Sequence, residues 1–240
     1  MNISHPAITE TINEAELYEK LLPLDDVRIV ELGCGTGVHT RNIASAGPDR
    51  QIVAYEVDTI QHERNDAEKK AGTSALANIT FKLGGAENID EADESVDVVM
   101  MFKSLHHVPI ESMPTALTEI GRVLKPGGLA YISEPIFDGE FNDVLKLFHD
   151  EQRVRQCAFD AIVDAVKKKT LTLVEQIFFH APVHFDSFDD LDGRIIQATH
   201  SDHQLDAETY RAVRTAFEKH LTNTGANFLA PMRIDLLRKD

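Results

Sequence analysis

The chain has 240 residues, a length that suits one compact domain with a sizeable core. Its 24 basic and 40 acidic residues give a formal net charge of −16, and such a surface repels DNA and RNA. Two cysteines, Cys34 and Cys157, leave no disulfide framework, and the amino terminus lacks an apolar run long enough for a signal peptide or a membrane span. We therefore expect a single-domain cytoplasmic protein that does not engage membranes, and the charge argues against DNA or RNA as its substrate.

The predicted elements begin with a helix over residues 10–22 and a short apolar strand over 27–32. That strand ends in the run Glu31-Leu32-Gly33-Cys34-Gly35-Thr36-Gly37, and a helix is predicted over 36–46. Three glycines at alternate positions allow a sharp turn and let a ligand approach where a Cβ would collide. The free N–H groups at the start of the helix favour a carboxylate or a phosphate.

Two common nucleotide motifs do not fit this turn. A dinucleotide fingerprint, G-x-G-x-x-G, would place its third glycine at Val38 or Thr40. No lysine follows the turn, as a phosphate-binding loop requires. Glu31, ahead of the glycines, suits instead a ligand that carries an amine as well as a carboxylate.

The following elements alternate between strand and helix. Glu56 ends a predicted strand, Asp58 caps the helix after it, and Lys125-Pro126-Gly127-Gly128 stops a later helix and reverses the chain. Such alternation implies a parallel sheet with helices on both faces, whose ligands bind at the carboxyl ends of the strands. The strands are predicted over 51–56, 78–83, 96–101 and 128–134, and the helices over 59–71 and 112–124.

Four segments in this order, over about residues 26–135, resemble the class I S-adenosylmethionine-dependent methyltransferases. The first signature of that family, an acidic residue, x, then G-x-G-x-G, matches 31–37. The family's fourth strand and loop carry a pattern similar to 95–108, and its L-K-P-G-G turn matches 124–128. The resemblance implies an α/β, Rossmann-like, doubly wound and mostly parallel seven-stranded sheet with an antiparallel last strand. It also implies S-adenosyl-L-methionine as the cofactor.

The resemblance further implies which residues contact that cofactor. In the family a carboxylate at the end of the second strand accepts both ribose hydroxyls, a role that falls to Glu56. Relatives often place G-D-A-E where this chain has Gly84-Gly85-Ala86-Glu87. The adenine contact of that Asp is therefore lost here, or passes to a backbone carbonyl or to Glu87. The implied cofactor-binding residues are Glu31, Gly33, Cys34, Gly35, Gly37, Glu56, Val57, Gly85, Ala86, Glu87, Met101 and Phe102.

Beyond Pro135 we expect extra helices, more than a minimal member of the family needs. Apolar spacing predicts helices over 139–156 and 158–168, a strand over 178–185, and further helices from Ser187 and around Tyr210. The final strand, within 226–238, alternates apolar and charged residues, so we expect it to be half-buried, with Arg233 and Asp235 on the charged face. We expect one domain over 1–240, in which 26–135 forms the cofactor-binding core and helical insertions over 136–225 roof the acceptor pocket.

The reaction that the resemblance implies is in-line methyl transfer to a small organic acceptor, on oxygen, nitrogen, sulfur or carbon. The loop over 102–105 lacks the Asn/Asp-Pro-Pro-aromatic tetrad of relatives that methylate base or amide nitrogens. A general base is needed only where the acceptor carries a proton at the working pH. His106, His107 and Glu134 are candidates, with a capping or packing role as the alternative for the two histidines, so the catalytic residue stays unassigned.

Other groups of polar residues could contact an acceptor or a metal ion. His149 and Arg153, four apart on the helix predicted over 139–156, could reach an anionic acceptor or form a polar helix face. We predict no metal site, because the remaining clusters match no known zinc spacing. Those clusters contain His180, His184, His200, Asp202 and His203.

Two other functions stay open. A non-catalytic S-adenosylmethionine-binding protein, acting as a sensor or partner subunit, would be consistent with the altered residue at Gly85. A tRNA-modifying enzyme would need a contiguous basic face, which this acidic sequence does not obviously supply. The sequence also leaves the oligomeric state open, a homodimer included.

Overall fold

The computed structural model describes residues 1–5, 7–47, 49–72, 77–198 and 203–240. Its strands are β1 (Arg28–Leu32), β2 (Gln51–Glu56), β3 (Ile79–Leu83), β4 (Val96–Phe102), β5 (Leu124–Pro135), β6 (Thr172–Phe185), β7 (Leu221–Thr222) and β8 (Gly225–Arg238). Its helices are α1 (Glu14–Leu21), α2 (Val38–Ala46), α3 (Thr59–Ala71), α4 (Met113–Val123), α5 (Glu140–Leu145), α6 (Gln152–Lys167), α7 (Phe188–Leu191) and α8 (Ala207–Glu218). A 3-10 turn, Leu105–His107, follows β4.

The strands form one mixed sheet in the order β3-β2-β1-β4-β5-β8-β6, with the two-residue β7 paired to β8. Neighbouring strands are parallel from β3 to β5, whereas β8 is antiparallel to both β5 and β6. The predicted fold class is therefore confirmed, with one short strand added. The strand order reverses between β1 and β4, and ligands of such sheets bind at that point, beyond the carboxyl ends of the strands.

Alternation along the central strands divides the core into two layers. In β4, Val98 and Met100 belong to a cluster with residues of α1 and α2, whereas Val99 and Met101 belong to a cluster with residues of α4 and α6. Successive side chains of a strand point to opposite faces, so a strand covered on both sides must be apolar throughout. β4 has that character, because every residue except Asp97 is buried.

A third cluster lies outside these two layers. It joins residues of α5, α7 and α8 to the far ends of β6 and β8, with Phe185, Phe217 and Phe228 among its buried members. These helices come from the segment in which we expected insertions. Their packing against extended strand ends gives that segment a hydrophobic core of its own.

The prediction of one continuous helix over 139–156 is wrong, because α5 ends at Leu145 and α6 begins only at Gln152. The backbone N–H of Gln152 donates to the Asp150 carboxylate at 3.0 Å, a local bond that competes with helix continuation. The separate helix predicted over 158–168 is the later part of α6, which ends at Lys167. The break leaves His149 in the connection and Glu151 at the N-cap of α6.

The prediction of a half-buried final strand is also wrong, because residues 231–237 of β8 are all buried. β8 lies between β5 and β6, so it is a central strand rather than an edge. Arg233 and Asp235 form a buried ion pair, with Arg233 Nε donating to Asp235 Oδ2 at 2.7 Å. The Arg233 guanidinium also lies over the ring of Phe159 in α6.

The outer edge of β6 is covered by the start of the chain. His180 N donates to the carbonyl of Glu10, and Ile12 N donates to the carbonyl of His180, at 2.8 and 3.1 Å. Pairing of this kind occupies backbone groups that would otherwise offer an open sheet edge. Among the described residues, no helix combines the length and apolar character needed to cross a membrane.

Candidate active site

The glycine turn after β1 depends on left-handed backbone. Gly33, Gly35 and Gly37 have φ values of +73°, +53° and +71°. The N–H groups of Gly33 and Cys34 both donate to the carbonyl of Tyr55 at 2.9 Å, which fixes the turn against β2. A Cβ on Gly33 would lie 2.6 Å from the Cβ of Ser104, so a side chain at that position requires the loop after β4 to move.

Glu31 lies under this turn and is almost completely buried. Its carboxylate accepts a hydrogen bond from the hydroxyl of Thr40 in α2. Burial raises the pKa of Glu31 to about 7, while the hydrogen bond from Thr40 acts in the opposite direction. A cationic ligand group near this carboxylate would reverse the effect of burial, because it stabilises the ionised form.

Glu56, at the end of β2, faces the glycine turn across the crevice. Its carboxylate accepts from the backbone N–H of Gly35 at 2.6 Å, of Val57 at 2.8 Å and of Asp58 at 2.9 Å. Asp58 caps α3 as the sequence predicted, accepting from Ile60 N at 2.9 Å. The position of Glu56 is compatible with its expected role as the acceptor of the ribose hydroxyls, which stays a prediction.

The chain departs from the family pattern at Gly85. A Cβ on Gly85 would coincide with the space that the carboxylate of Glu87 occupies. Ala86 between them is buried, whereas Glu87 is exposed apart from this contact. A carboxylate therefore still stands at this rim of the crevice, and it comes from a residue two positions further along the chain.

These residues line one cavity of about 990 Å³ at the carboxyl edge of the sheet. All the predicted cofactor residues line it except Gly37, which lies at the N-cap of α2. Sequence reasoning missed His39, whose ring stacks on that of Phe102 at 4.0 Å between centroids. Burial lowers the pKa of His39 to about 4, so it is neutral at physiological pH. The sequence carried no signal for this contact.

The other side of the same cavity is built from the segment after β5. Of the pair that could reach an anionic acceptor or form a polar helix face, His149 lines the cavity and Arg153 does not, whereas Arg155 does. His184 lines the cavity and His180 does not. His200 and Asp202 lie outside the described residues. The lining from this segment includes Phe141, Asn142, Leu145, His149, Glu151, Arg155, His184, Arg194, Ile195 and His203.

His106 stands where the two sides meet, in the 3-10 turn after β4. Its Nδ1 lies 2.5 Å from Oε2 of Glu134, and its Nε2 lies 3.3 Å from Oε1 of Glu151. Although burial alone would lower it, the pKa of His106 is raised to about 9 by these two carboxylates, and the pKa values of Glu134 and Glu151 are lowered. Glu134 does not line the cavity, and it also accepts from Leu105 N at 2.9 Å. It therefore reaches the cavity through His106.

Residues 29–128 match a family model described as a methyltransferase domain. The match covers β1 to β5 and includes the glycine turn, Glu56 and the loop after β4. The match supports a class I S-adenosylmethionine-dependent methyltransferase, and S-adenosylmethionine is the cofactor that this family implies.

The chain matches its curated relatives over only part of their length. The chain is 33% identical over 137 residues to the O-methyltransferase rstn1 of Aspergillus nomiae, a match that covers 56% of this chain and 59% of that protein. Among solved structures, BH2331 of Bacillus halodurans superposes with a TM-score of 0.61 at 17% identity, covering 94% of this chain and 97% of that one. The cyclase SpnF superposes with a TM-score of 0.59 at 19% identity, covering 94% and 78%. At these sequence identities the two superpositions show similarity of fold alone.

Proposed function

We propose that this chain transfers the methyl group of S-adenosylmethionine to a small organic acceptor bound beneath residues 136–225. The observation that carries the proposal is the single cavity that joins the glycine turn and Glu56 to side chains of that segment. Its volume of about 990 Å³ is at the upper end for a ligand pocket, which leaves room for an acceptor beside a cofactor.

The residues on the cofactor side have the chemistry that the implied ligand needs. Glu31 offers a negative charge for an amino group, and Glu56 offers acceptor oxygens for hydroxyl groups. Apart from its two chain neighbours, none of the described residues has an atom within 4 Å of the position that a Cβ on Gly35 would take, so the turn leaves open space beside the backbone. Met101 and Phe102, at the end of β4, supply a buried apolar wall.

When bound, the cofactor supplies a methyl group already activated on a sulfonium. The chain then has to hold donor and acceptor in line and exclude water, an effect that can contribute about 7–11 kcal/mol. In this proposal the segment over 136–225 forms the roof that excludes water. Phe141 and Leu145 give it an apolar surface, and His149 and Arg194 add polar groups, which favours an acceptor with both characters.

His106, His107 and Glu134 stay candidates for the acceptor side. Glu134 is a positioning residue in this proposal, because it contacts His106 and not the cavity. The reducing cytoplasm remains the proposed location, since both cysteines are free thiols.

The experiment has two stages and uses the full chain. Mass spectrometry of the purified protein identifies retained cofactor, and calorimetry measures S-adenosylhomocysteine affinity for the wild type and for Glu56→Ala. We expect Glu56→Ala to weaken binding at least tenfold. Glu63→Ala, which removes an exposed glutamate of α3, should leave the affinity unchanged. Circular dichroism checks that both variants are folded.

The second stage measures release of S-adenosylhomocysteine with pools of small hydroxyl, carboxyl, amine and thiol compounds. Turnover that depends on one pool would support methyl transfer. Tight cofactor binding without turnover would favour the alternative, a cofactor-binding protein that does not transfer methyl groups. The departure at Gly85 and Glu87 is the observation that keeps this alternative in view.

A further inference from the structure

Several side chains of the metal-binding type converge at the acceptor end of the cavity. His106, His107 and Glu151 each offer a ligand atom, and these atoms all lie within 4.8 Å of one another. The shared point is Oε1 of Glu151, which lies 3.3 Å from Nε2 of His106 and 4.0 Å from Nε2 of His107. Nε2 of His149 lies 2.7 Å from the same oxygen.

The two buried members of this cluster are already oriented by other residues. Glu134 accepts from the Nδ1–H of His106 and so fixes the ring with Nε2 directed towards Glu151. A divalent cation bound there would displace the Nε2 proton, because a histidine ligand must be neutral. Arg155 holds the opposite oxygen of Glu151 through Nη2 at 2.5 Å and Nε at 3.1 Å. A carboxylate behind a histidine ligand is the arrangement that fixes the ring and raises its basicity in metal sites.

We propose that His106, His107 and Glu151 bind a first-row divalent cation such as Zn²⁺. With metal–ligand bonds of about 2.0–2.1 Å, atoms in a tetrahedral shell are about 3.3 Å apart. Nε2 of His106 and Oε1 of Glu151 are already at that separation. The imidazole of His107 is 43% exposed, so it can rotate the remaining distance without disturbing the core.

Two imidazoles and one carboxylate suit zinc, iron or nickel better than magnesium or calcium, which prefer all-oxygen shells. Three protein ligands leave a fourth position open, as in catalytic rather than structural sites. All three residues line the cavity, so the open position faces the space assigned to the acceptor. The ligand for that position would be an oxygen or nitrogen donor of the acceptor, a second step that rests on the proposed function.

The proposed site differs from our prediction, made from the sequence, that the chain has no metal site. The ligands come from two adjacent residues of the turn after β4 and from the N-cap of α6, 44 positions further along the chain. No spacing rule for zinc covers that arrangement, so it becomes visible only when the elements are packed.

The test measures metal binding directly on the full chain, freed of metal by chelation. We expect one Zn²⁺ or Co²⁺ per chain by elemental analysis after dialysis, and visible absorption of Co²⁺ with the intensity of a four- or five-coordinate centre. His107→Ala and Glu151→Gln should weaken binding more than a hundredfold. Glu134→Gln, which removes only the support behind His106, should weaken it about 10–100-fold.

His5→Ala serves as the matched control, because His5 packs on Phe178 away from the cluster. It should bind as the wild type does, and calorimetry with S-adenosylhomocysteine should give the same affinity for His107→Ala as for the wild type. Absence of stoichiometric metal in the wild type would overturn the inference, as would Zn²⁺ binding by His107→Ala and Glu151→Gln with the affinity of the wild type. Methyl transfer by a metal-free chain would leave the proposed function standing while removing the metal from it.

Discussion

Protonation of Glu31 should control cofactor affinity near neutral pH. The pKa of this buried carboxyl is raised to about 7 in the ligand-free protein. A ligand ammonium group binds the ionised form, so the bound state must lower this pKa. We expect affinity for S-adenosylhomocysteine to fall as the pH falls, because more of the free protein must first lose a proton.

The magnitude follows from the ionised fraction. With a pKa of about 7, roughly a tenth of the Glu31 carboxyls are ionised at pH 6 and roughly nine tenths at pH 8. Affinity should therefore increase about tenfold over that interval, or about 1.4 kcal/mol. His39, with a pKa of about 4, stays neutral throughout and adds nothing to the slope.

Calorimetry from about pH 6 to pH 8, in two buffers with different ionisation enthalpies, measures both the affinity and the protons released on binding. Near pH 7 about half a proton should be released. Glu31→Gln should flatten the profile. Thr40→Val removes the hydrogen bond that stabilises the charged form, so it should move the midpoint to higher pH. A wild-type profile as flat as that of Glu31→Gln would refute this reasoning.

Three further predictions concern the turn, the buried ion pair and the adenine rim. Gly33→Ala should lower the free energy of unfolding by about 1–3 kcal/mol more than Gly35→Ala in urea titrations, because only the first adds a clash to the strain of positive φ. Asp235→Ala should destabilise the fold by about 3–5 kcal/mol, since it leaves Arg233 buried without its carboxylate, and a loss under 1 kcal/mol would contradict this. Glu87→Ala should weaken S-adenosylhomocysteine about tenfold in calorimetry if its carboxylate replaces the missing Asp, whereas unchanged affinity would exclude that role.

The elements from β1 to α3 could be predicted from the sequence because the patterns that define them are local. The glycine turn, the acidic end of β2 and the cap at Asp58 each depend on a few consecutive residues, whose backbone requirements the residue types reveal. The mostly parallel sheet was also predicted, since alternating strands and helices imply parallel strands with helices on both faces.

The segment after β5 could not be predicted from the sequence in the same way. Periodicity alone extends one helix through this segment, whereas α5 ends at Leu145 and a new helix begins at Gln152, whose N–H donates to the Asp150 carboxylate. The charges of Arg233 and Asp235 suggested a solvent-facing strand, but each residue neutralises the other inside the sheet. Glu151 meets His106 only through tertiary packing, so no pattern along the chain could pair them.

Within the part of the chain that the structure describes, the phenylalanine-rich cluster of α5, α7 and α8 shares no buried residue with the two layers of the main sheet. Replacements inside that cluster can therefore reshape one wall of the cavity while the glycine turn and Glu56 keep their places. In a protein divided in this manner, substitutions in one module can change which acceptor compounds bind. The residues that we propose to bind the methyl donor need not change.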